Sequence, residues 1–231
     1  MTRFERLFVW TGGALFVLSL MTCAYVYFVA WAVPVEGGHR ARAVGFDAAL
    51  LGIFAFHHSV FARESVKSHL ARVLPERLLR SIYVWTASLL LLLVLAFWQP
   101  VAGETYRVAG WRAYANAIVQ LAGLWLIARA VAKIDPLELA GIAPPRPATN
   151  SSGLQIAGPY RWVRHPLYLG WILALFGAAS MTGDRLAFAV ITTVYLLLAI
   201  PFEERSLGRS FGDAYAHYQR QVRWRVIPFV Y

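Results

Sequence analysis

SIYVWTASLLLLLVLAFWQPVAG, residues 81–103, runs for 23 positions without a charged side chain. A bilayer hydrocarbon core of about 30 Å takes roughly 20 apolar residues as a helix, so this stretch is long enough to cross one. The same reading extends outward to five further intervals. Residues 7–35 hold 29 uncharged positions, and residues 43–62 hold 20 positions with Asp47 as the single charge. Residues 113–128, 166–183 and 186–202 hold 16, 18 and 17 uncharged positions. These last three are short enough to depend on flanking arginines reaching out to the interface. The expectation is an all-α, polytopic integral membrane protein with about six transmembrane helices. The first interval exceeds the apolar region of a signal peptide, about 7–15 residues, and is expected to remain as an anchor.

Composition agrees. Of 231 residues, 59% are hydrophobic and 15% charged, whereas soluble domains average about 25% charged. So much apolar surface argues against a soluble globular enzyme, a disordered chain or a disulfide scaffold. The single cysteine, Cys23, excludes an intrachain disulfide. A net charge of +10 would suggest nucleic acid in a soluble chain, but here basic loops account for it and no nucleic-acid partner is expected. Alternate loops carry 17 Lys and Arg on one side and 5 on the other. The positive-inside rule then places both termini, the two long loops and the tail in the cytoplasm. No organellar signal is evident, so a bacterial inner membrane is the expected location.

Residues 1–134 read as an N-terminal four-helix membrane region, and 135–231 as a C-terminal hairpin and tail within one integrated membrane domain. The Pro-, Ser- and Gly-rich segment 143–153 reads as a loop. In the tail Leu207, Phe211, Tyr215, Tyr218 and Val222 follow helical spacing and predict a cytoplasmic amphipathic helix, lying on the membrane or lidding a pocket.

The chemistry concentrates at the last hairpin. Its start reads Gly158-Pro-Tyr-Arg-Trp-Val-Arg-His-Pro-Leu-Tyr-Leu-Gly-Trp171, with Pro166 suited to a first helical turn. Asp184 lies 19 residues after His165 and 19 before Glu203. An antiparallel hairpin thus brings His165 level with Glu203 and Glu204. Arg161 and Arg164 also read as topology signals, and Tyr168 and Trp171 as members of an interfacial aromatic belt. The adjacent carboxylates meet the negative end of a helix dipole and need a cation, from local arginines or from a ligand. His57 and His58 form a second candidate; their side chains diverge by about 100°, which predicts one packed and one facing a pocket. No metal-ligand spacing, phosphate loop or nucleophile elbow accompanies them, so no metal is expected.

The segments Gly158-Pro159-Tyr160, Arg164-His165-Pro166-x-Tyr168-x-Gly170, Glu203-Glu204-x-x-Leu207 and Phe211-Gly212-x-x-Tyr215 resemble the isoprenylcysteine carboxyl methyltransferase and phospholipid methyltransferase superfamily. The front half, with Phe54-Ala-Phe-His57-His58-Ser59, Arg80-Ser81-x-Tyr83 and Trp98-Gln-Pro100, is similar to its methanethiol S-methyltransferase branch. One segment departs from that branch. Where an Asn-His-Phe-Asp-like run is expected, this chain has Ala132-Lys133-Ile134-Asp135, which keeps the acid and lacks the histidine.

The resemblance implies a membrane methyltransferase that binds S-adenosyl-L-methionine at the cytoplasmic face and methylates a small apolar or lipid-soluble acceptor, such as methanethiol, drawn from among the membrane lipids. It implies Tyr160, Arg164, His165, Pro166, Tyr168, Glu203 and Glu204 around the donor. Glu204 and Arg164 would serve the chemistry with His58, the latter as proton sink for the thiol, aided by Arg63 or Arg80. A prenylated cysteine or an amino-phospholipid remains an alternative acceptor. Sterol-type reductases and a non-enzymatic membrane protein of nitrogen-oxide metabolism remain alternative classes.

Overall fold

The computed structural model describes residues 2–37, 39–61, 63–132, 135–143 and 154–231. From residue 144 on, the expected loop over 143–153 lies outside them. In chain order the elements are α1 (Arg3–Phe28), α2 (Arg40–Phe61), α3 (Glu64–Leu70), α4 (Glu76–Phe97), β1 (Glu104–Arg107), α5 (Trp111–Val131) and α6 (Pro136–Leu139). They continue with α7 (Pro166–Phe176), β2 (Ser180–Thr182), α8 (Gly183–Phe211) and α9 (Asp213–Gln221). The chain forms an all-α polytopic membrane protein. Among the described residues, α1, α2, α4, α5 and α8 are long and apolar enough to cross a membrane.

Two compact units share the chain. One comprises Met1–Gly103, Ile134–Arg146 and Thr182–Ala187; the other comprises Glu104–Lys133, Pro147–Met181 and Phe188–Tyr231. In the first unit α1 and α4 run parallel. Glu5 pairs with Arg77, and further along both helices Trp85 Nε1 donates to the Phe8 carbonyl at 2.9 Å. α2 runs antiparallel to α4, with His58 against Tyr83 near one end and Asp47 against Gln99 near the other. Two buried carboxylates hold the chain where α4 stops. Asp47 accepts the Gln99 N–H at 2.8 Å, and Asp184 accepts Trp98 Nε1 at 2.8 Å and the Val101 N–H at 2.7 Å. The Arg185 guanidinium donates to the carbonyls of Tyr27 and Phe28 at the end of α1.

In the second unit α5 packs on α7 through two glycines. A Cβ on Gly123 would stand 2.4 Å from the Ala174 nitrogen, and one on Gly170 would stand 2.8 Å from the Gly123 carbonyl oxygen. The two backbones touch, and neither position has room for a side chain.

The fifth expected crossing differs from the reading of residues 166–183. α7 has 11 residues, a rise of about 17 Å, short of the roughly 30 Å apolar core. Distant polar side chains end it. Gln120 Nε2 donates to the Ala174 carbonyl at 2.9 Å, Tyr106 Oη to the carbonyls of Phe176 and Ala178, and Asn116 Nδ2 to Ala178. With its terminal carbonyls satisfied by these donors, the chain leaves the helix and pairs as β2 with β1.

The tail differs too. α8 extends to Phe211, and Gly212, at φ +51°, breaks the expected single helix before α9. This left-handed conformation favours glycine. Across the break Tyr215, Tyr218 and Val222 still gather as one buried cluster, joined by Leu154, Leu207 and Phe211.

Because Gly123 and Gly170 meet backbone, Gly123→Ala or Gly170→Ala is expected to cost about 1–3 kcal/mol and lower the thermal midpoint in detergent. Gly208→Ala, in α8 with open space beside it, is expected to leave the midpoint unchanged or raise it. Equal midpoints for all three variants would contradict the close α5–α7 approach.

Candidate active site

The candidate site lies wholly in the second unit. Gly158–Arg161 forms a 3-10 turn led by Pro159, and the Tyr218 hydroxyl on α9 donates to the Tyr160 carbonyl at 2.7 Å. The chain then runs extended beside the tail. The Arg164 and His165 N–H groups donate to the carbonyls of Trp224 and Arg225 at 2.9 and 2.8 Å. Pro166 is fully buried at the first position of α7, where a missing N–H costs nothing.

This pairing sets Arg164 and His165 against α8. Arg164 Nε donates to Glu204 Oε1 at 2.7 Å, and Nη1 donates to the carbonyls of Val222 and Arg223 at 2.8 and 2.9 Å. Arg225 Nε lies 3.3 Å from Glu204 Oε2. His165 sits between the carboxylates, with Nε2 3.4 Å from Glu204 Oε1 and Nδ1 3.4 Å from Glu203 Oε2. The Tyr168 hydroxyl donates to Glu203 Oε2 at 2.7 Å, and its ring stacks on His165 at 5.2 Å. His165 therefore does meet Glu203 and Glu204 across the hairpin.

The two carboxylates are not equivalent. The Glu204 side chain is 8% exposed and meets a different arginine at each oxygen; that of Glu203 is 46% exposed. Arg164 is likewise committed, with its Nε on Glu204 and Nη1 on two carbonyls. Glu203 is thus the carboxylate with a free approach, and Glu204 the one that organises the others.

Burial alone would lower the His165 pKa, but the hydrogen bonds and negative charges of Glu203 and Glu204 outweigh it and raise the pKa above its ordinary value. A neutral imidazole has a single N–H, so carboxylates facing both ring nitrogens favour the charged form. Burial, then the nearby Glu203 charge, raises the Tyr160 hydroxyl pKa. Burial and the Glu204 charge push Tyr215 up to about 12. These phenols stay protonated at neutral pH. Next to this turn Ile156, Ala157, Arg161, Tyr218, Gln221 and Val222 line a cavity of about 300 Å³.

The remaining sequence candidates belong to the first unit. His57 is buried and stacks on Phe61 and Tyr83, while His58 is exposed, with Nδ1 2.7 Å from the Tyr83 hydroxyl. Arg80 Nε donates to the Glu138 carbonyl. Arg63 stands just before α3 as its N-cap. Asp135 caps α6 by accepting the N–H groups of Leu137 and Glu138. Among the described residues no group of three or more potential ligands suits a metal ion.

Sequence reasoning counted Arg225 only as a topology charge. The available signal was its alternation with Arg223 in a short extended run after a helix.

A family model described as Phospholipid methyltransferase matches residues 111–214, from the start of α5 into α9. Methanethiol S-methyltransferase 2 of Bradyrhizobium diazoefficiens is 40% identical over 75% of this chain and 69% of its own length. The methanethiol S-methyltransferase of Mycobacterium tuberculosis is 36% identical over 78% of this chain and 77% of its own. That of a Pseudomonas species is 32% identical over 94% and 92%. No solved structure matches the chain. With this likeness over three quarters of its length or more and a helical membrane fold, the chain belongs to the methanethiol S-methyltransferase family of membrane methyltransferases.

Proposed function

We propose that the protein transfers a methyl group from S-adenosyl-L-methionine to methanethiol, with the donor bound on the Arg164–His165–Glu203–Glu204 cluster. The similarity to methanethiol S-methyltransferases supports the acceptor. The observation that carries the site is the asymmetry of the two carboxylates: one neutralised, one half-exposed. The donor is cationic at its sulfonium and ammonium groups, and a carboxylate with an open approach and a fixed orientation fits such a ligand. Tyr168 and His165 hold Glu203 in place. The cavity beside the turn, with apolar Ile156 and Val222 and polar Arg161 and Gln221, suits an uncharged polar part of the donor. We further propose that the site opens at the cytoplasmic face of a bacterial inner membrane, from the excess of Lys and Arg in the corresponding loops.

When bound, the donor supplies an activated methyl group. The methanethiol S–H proton passes to solvent water, a new carbon–sulfur bond forms, the donor's methyl–sulfur bond breaks with its electron pair going to the donor sulfur, and dimethyl sulfide and S-adenosylhomocysteine leave. Such a displacement needs alignment and exclusion of water. Glu203 orients the cation, Glu204 and Arg164 keep the cluster rigid, and His165 couples the carboxylates. The family model's description favours a second reading, N-methylation of an amino-phospholipid.

Protein in lipid nanodiscs, given the donor and methanethiol, is expected to release dimethyl sulfide into the headspace. Methylation of phosphatidylethanolamine without dimethyl sulfide would favour the second reading, and neither product would contradict the activity. Glu203→Gln is expected to weaken donor binding about tenfold or more with little change in thermal midpoint. Glu204→Gln is expected to cost about 3 kcal/mol of stability, because two arginines lose a buried partner. The reverse pattern would contradict the assignment.

His165 adds a pH signature. Its folded-state pKa is raised, so its pairing stabilises fully below the ordinary value of about 6.5 and is lost as pH rises through the folded-state pKa. The midpoint gap between wild type and His165→Gln is expected to be widest near pH 6 and to narrow at higher pH. A gap independent of pH would contradict charged pairing.

A further inference from the structure

The tail after α9 joins this cluster through the carbonyls of Val222, Arg223, Trp224 and Arg225 and through the Arg225 side chain. After α9 the tail turns back at Phe229, at φ +65°. There the Tyr231 main-chain oxygen accepts the N–H groups of Arg225, Val226 and Ile227 at 2.9, 2.9 and 3.2 Å. Val226 is fully buried within this loop. Arg225 meets the cluster through backbone and side chain together. Its carbonyl accepts the His165 N–H at 2.8 Å, and its Nε reaches Glu204 Oε2 at 3.3 Å. Its Nη1 donates to the Tyr231 hydroxyl at 3.1 Å, and its guanidinium lies over that ring at 5.2 Å.

An exposed arginine–carboxylate pair contributes little to stability. This pair differs because its acceptor is buried and shared. Arg164 and His165 occupy Oε1 of Glu204, and Arg225 occupies Oε2. Without the second cation, Oε2 of Glu204 loses its arginine, and of these contacts only those at Oε1 still orient the carboxylate. His165 faces both Glu204 Oε1 and Glu203 Oε2, so slack at Glu204 passes through His165 to Glu203, which Tyr168 also holds.

We propose that Arg225, braced by Tyr231, is a positioning residue: it fixes Glu204, and through His165 it sets the half-exposed Glu203 toward the methyl donor's cation. This inference rests on the donor site proposed above, so its test includes a measurement that needs no donor. Loss of the Arg225 charge removes a cation near Glu204 and strengthens the hold of the carboxylates on the His165 proton. The groups facing His165 are Glu203 and Glu204 from α8, Arg164 and Tyr168 beside it, and Arg225 from the tail. Tyr160, Tyr215 and Tyr218 stand around the carboxylates and remain neutral phenols.

The experiment uses full-length protein in nanodiscs with ring-labelled histidine. His165 is titrated by NMR, and binding of S-adenosylhomocysteine and a cationic amine analogue of the donor is measured by calorimetry. Arg225→Gln is expected to move the His165 titration to higher pH and to weaken the cationic analogue about tenfold, and S-adenosylhomocysteine less. Arg225→Lys restores the charge, so it is expected to return the titration to the wild-type position and recover only part of the affinity. Tyr231→Phe is expected to weaken binding about threefold with the titration unmoved. An Arg225→Gln protein that titrates and binds like wild type overturns the proposal. If wild type binds neither ligand, the donor site falls. The titration then decides Arg225 alone: a shift in Arg225→Gln that Arg225→Lys reverses retains its hold on the cluster, and no shift removes it.

Discussion

A carboxylate taken out of water must be given cations and donors, and the second unit is organised around satisfying one, Glu204. Removing an ion from water costs several kcal/mol even after relaxation. Burial at 8% exposure is tolerable here because Arg164, Arg225 and His165 surround the group. The partners come from two separate pieces of chain: Arg164 and His165 from the stretch leading into α7, and Arg225 from the tail after α9. The ion cluster therefore specifies where the hairpin closes and where the tail folds back, which covalent connectivity alone does not.

The hydrophobic framework makes this precision possible. α5 and α7 meet backbone to backbone at Gly123 and Gly170, so the axis of α7 has little freedom and His165 at its start is held at one depth. Tyr215, Tyr218 and Val222 pack into a single cluster, and from it the Tyr218 hydroxyl fixes the Tyr160 carbonyl. Polar contacts do the final positioning on a scaffold set by packing. In the proposed reaction that division suits methyl transfer, where the protein's main task is to align two reactants without water.

Much of this was legible in the chain itself. Uncharged intervals located α1, α2, α4, α5 and α8, because a helix surrounded by hydrocarbon has no use for charge. The spacing of His165 and Glu203 placed them together, although the outward arm was not a full helix. About 17 Å of α7 plus about 10 Å of β2 comes close to the roughly 30 Å of α8 that leads to Glu203. The end of α7 was hidden because its carbonyls are satisfied by Tyr106, Asn116 and Gln120, more than 50 residues away in sequence. The unequal roles of Glu203 and Glu204 were hidden as well. Neighbours on a helix point about 100° apart, and only the packed structure tells which one faces inward. Arg225 offered only its alternation with Arg223, and its place depends on a turn and a main-chain pairing.

The central claim is that the cluster separates the carboxylates into one that holds the protein and one that meets a cationic ligand. The most direct test is an experimental structure in a lipid bilayer with the cationic amine analogue of the donor bound. The ligand amine is predicted about 2.7–3 Å from a Glu203 oxygen, with Glu204 still between Arg164 and Arg225. A ligand amine on Glu204 with its arginines displaced, or a ligand bound away from both carboxylates, would contradict the account.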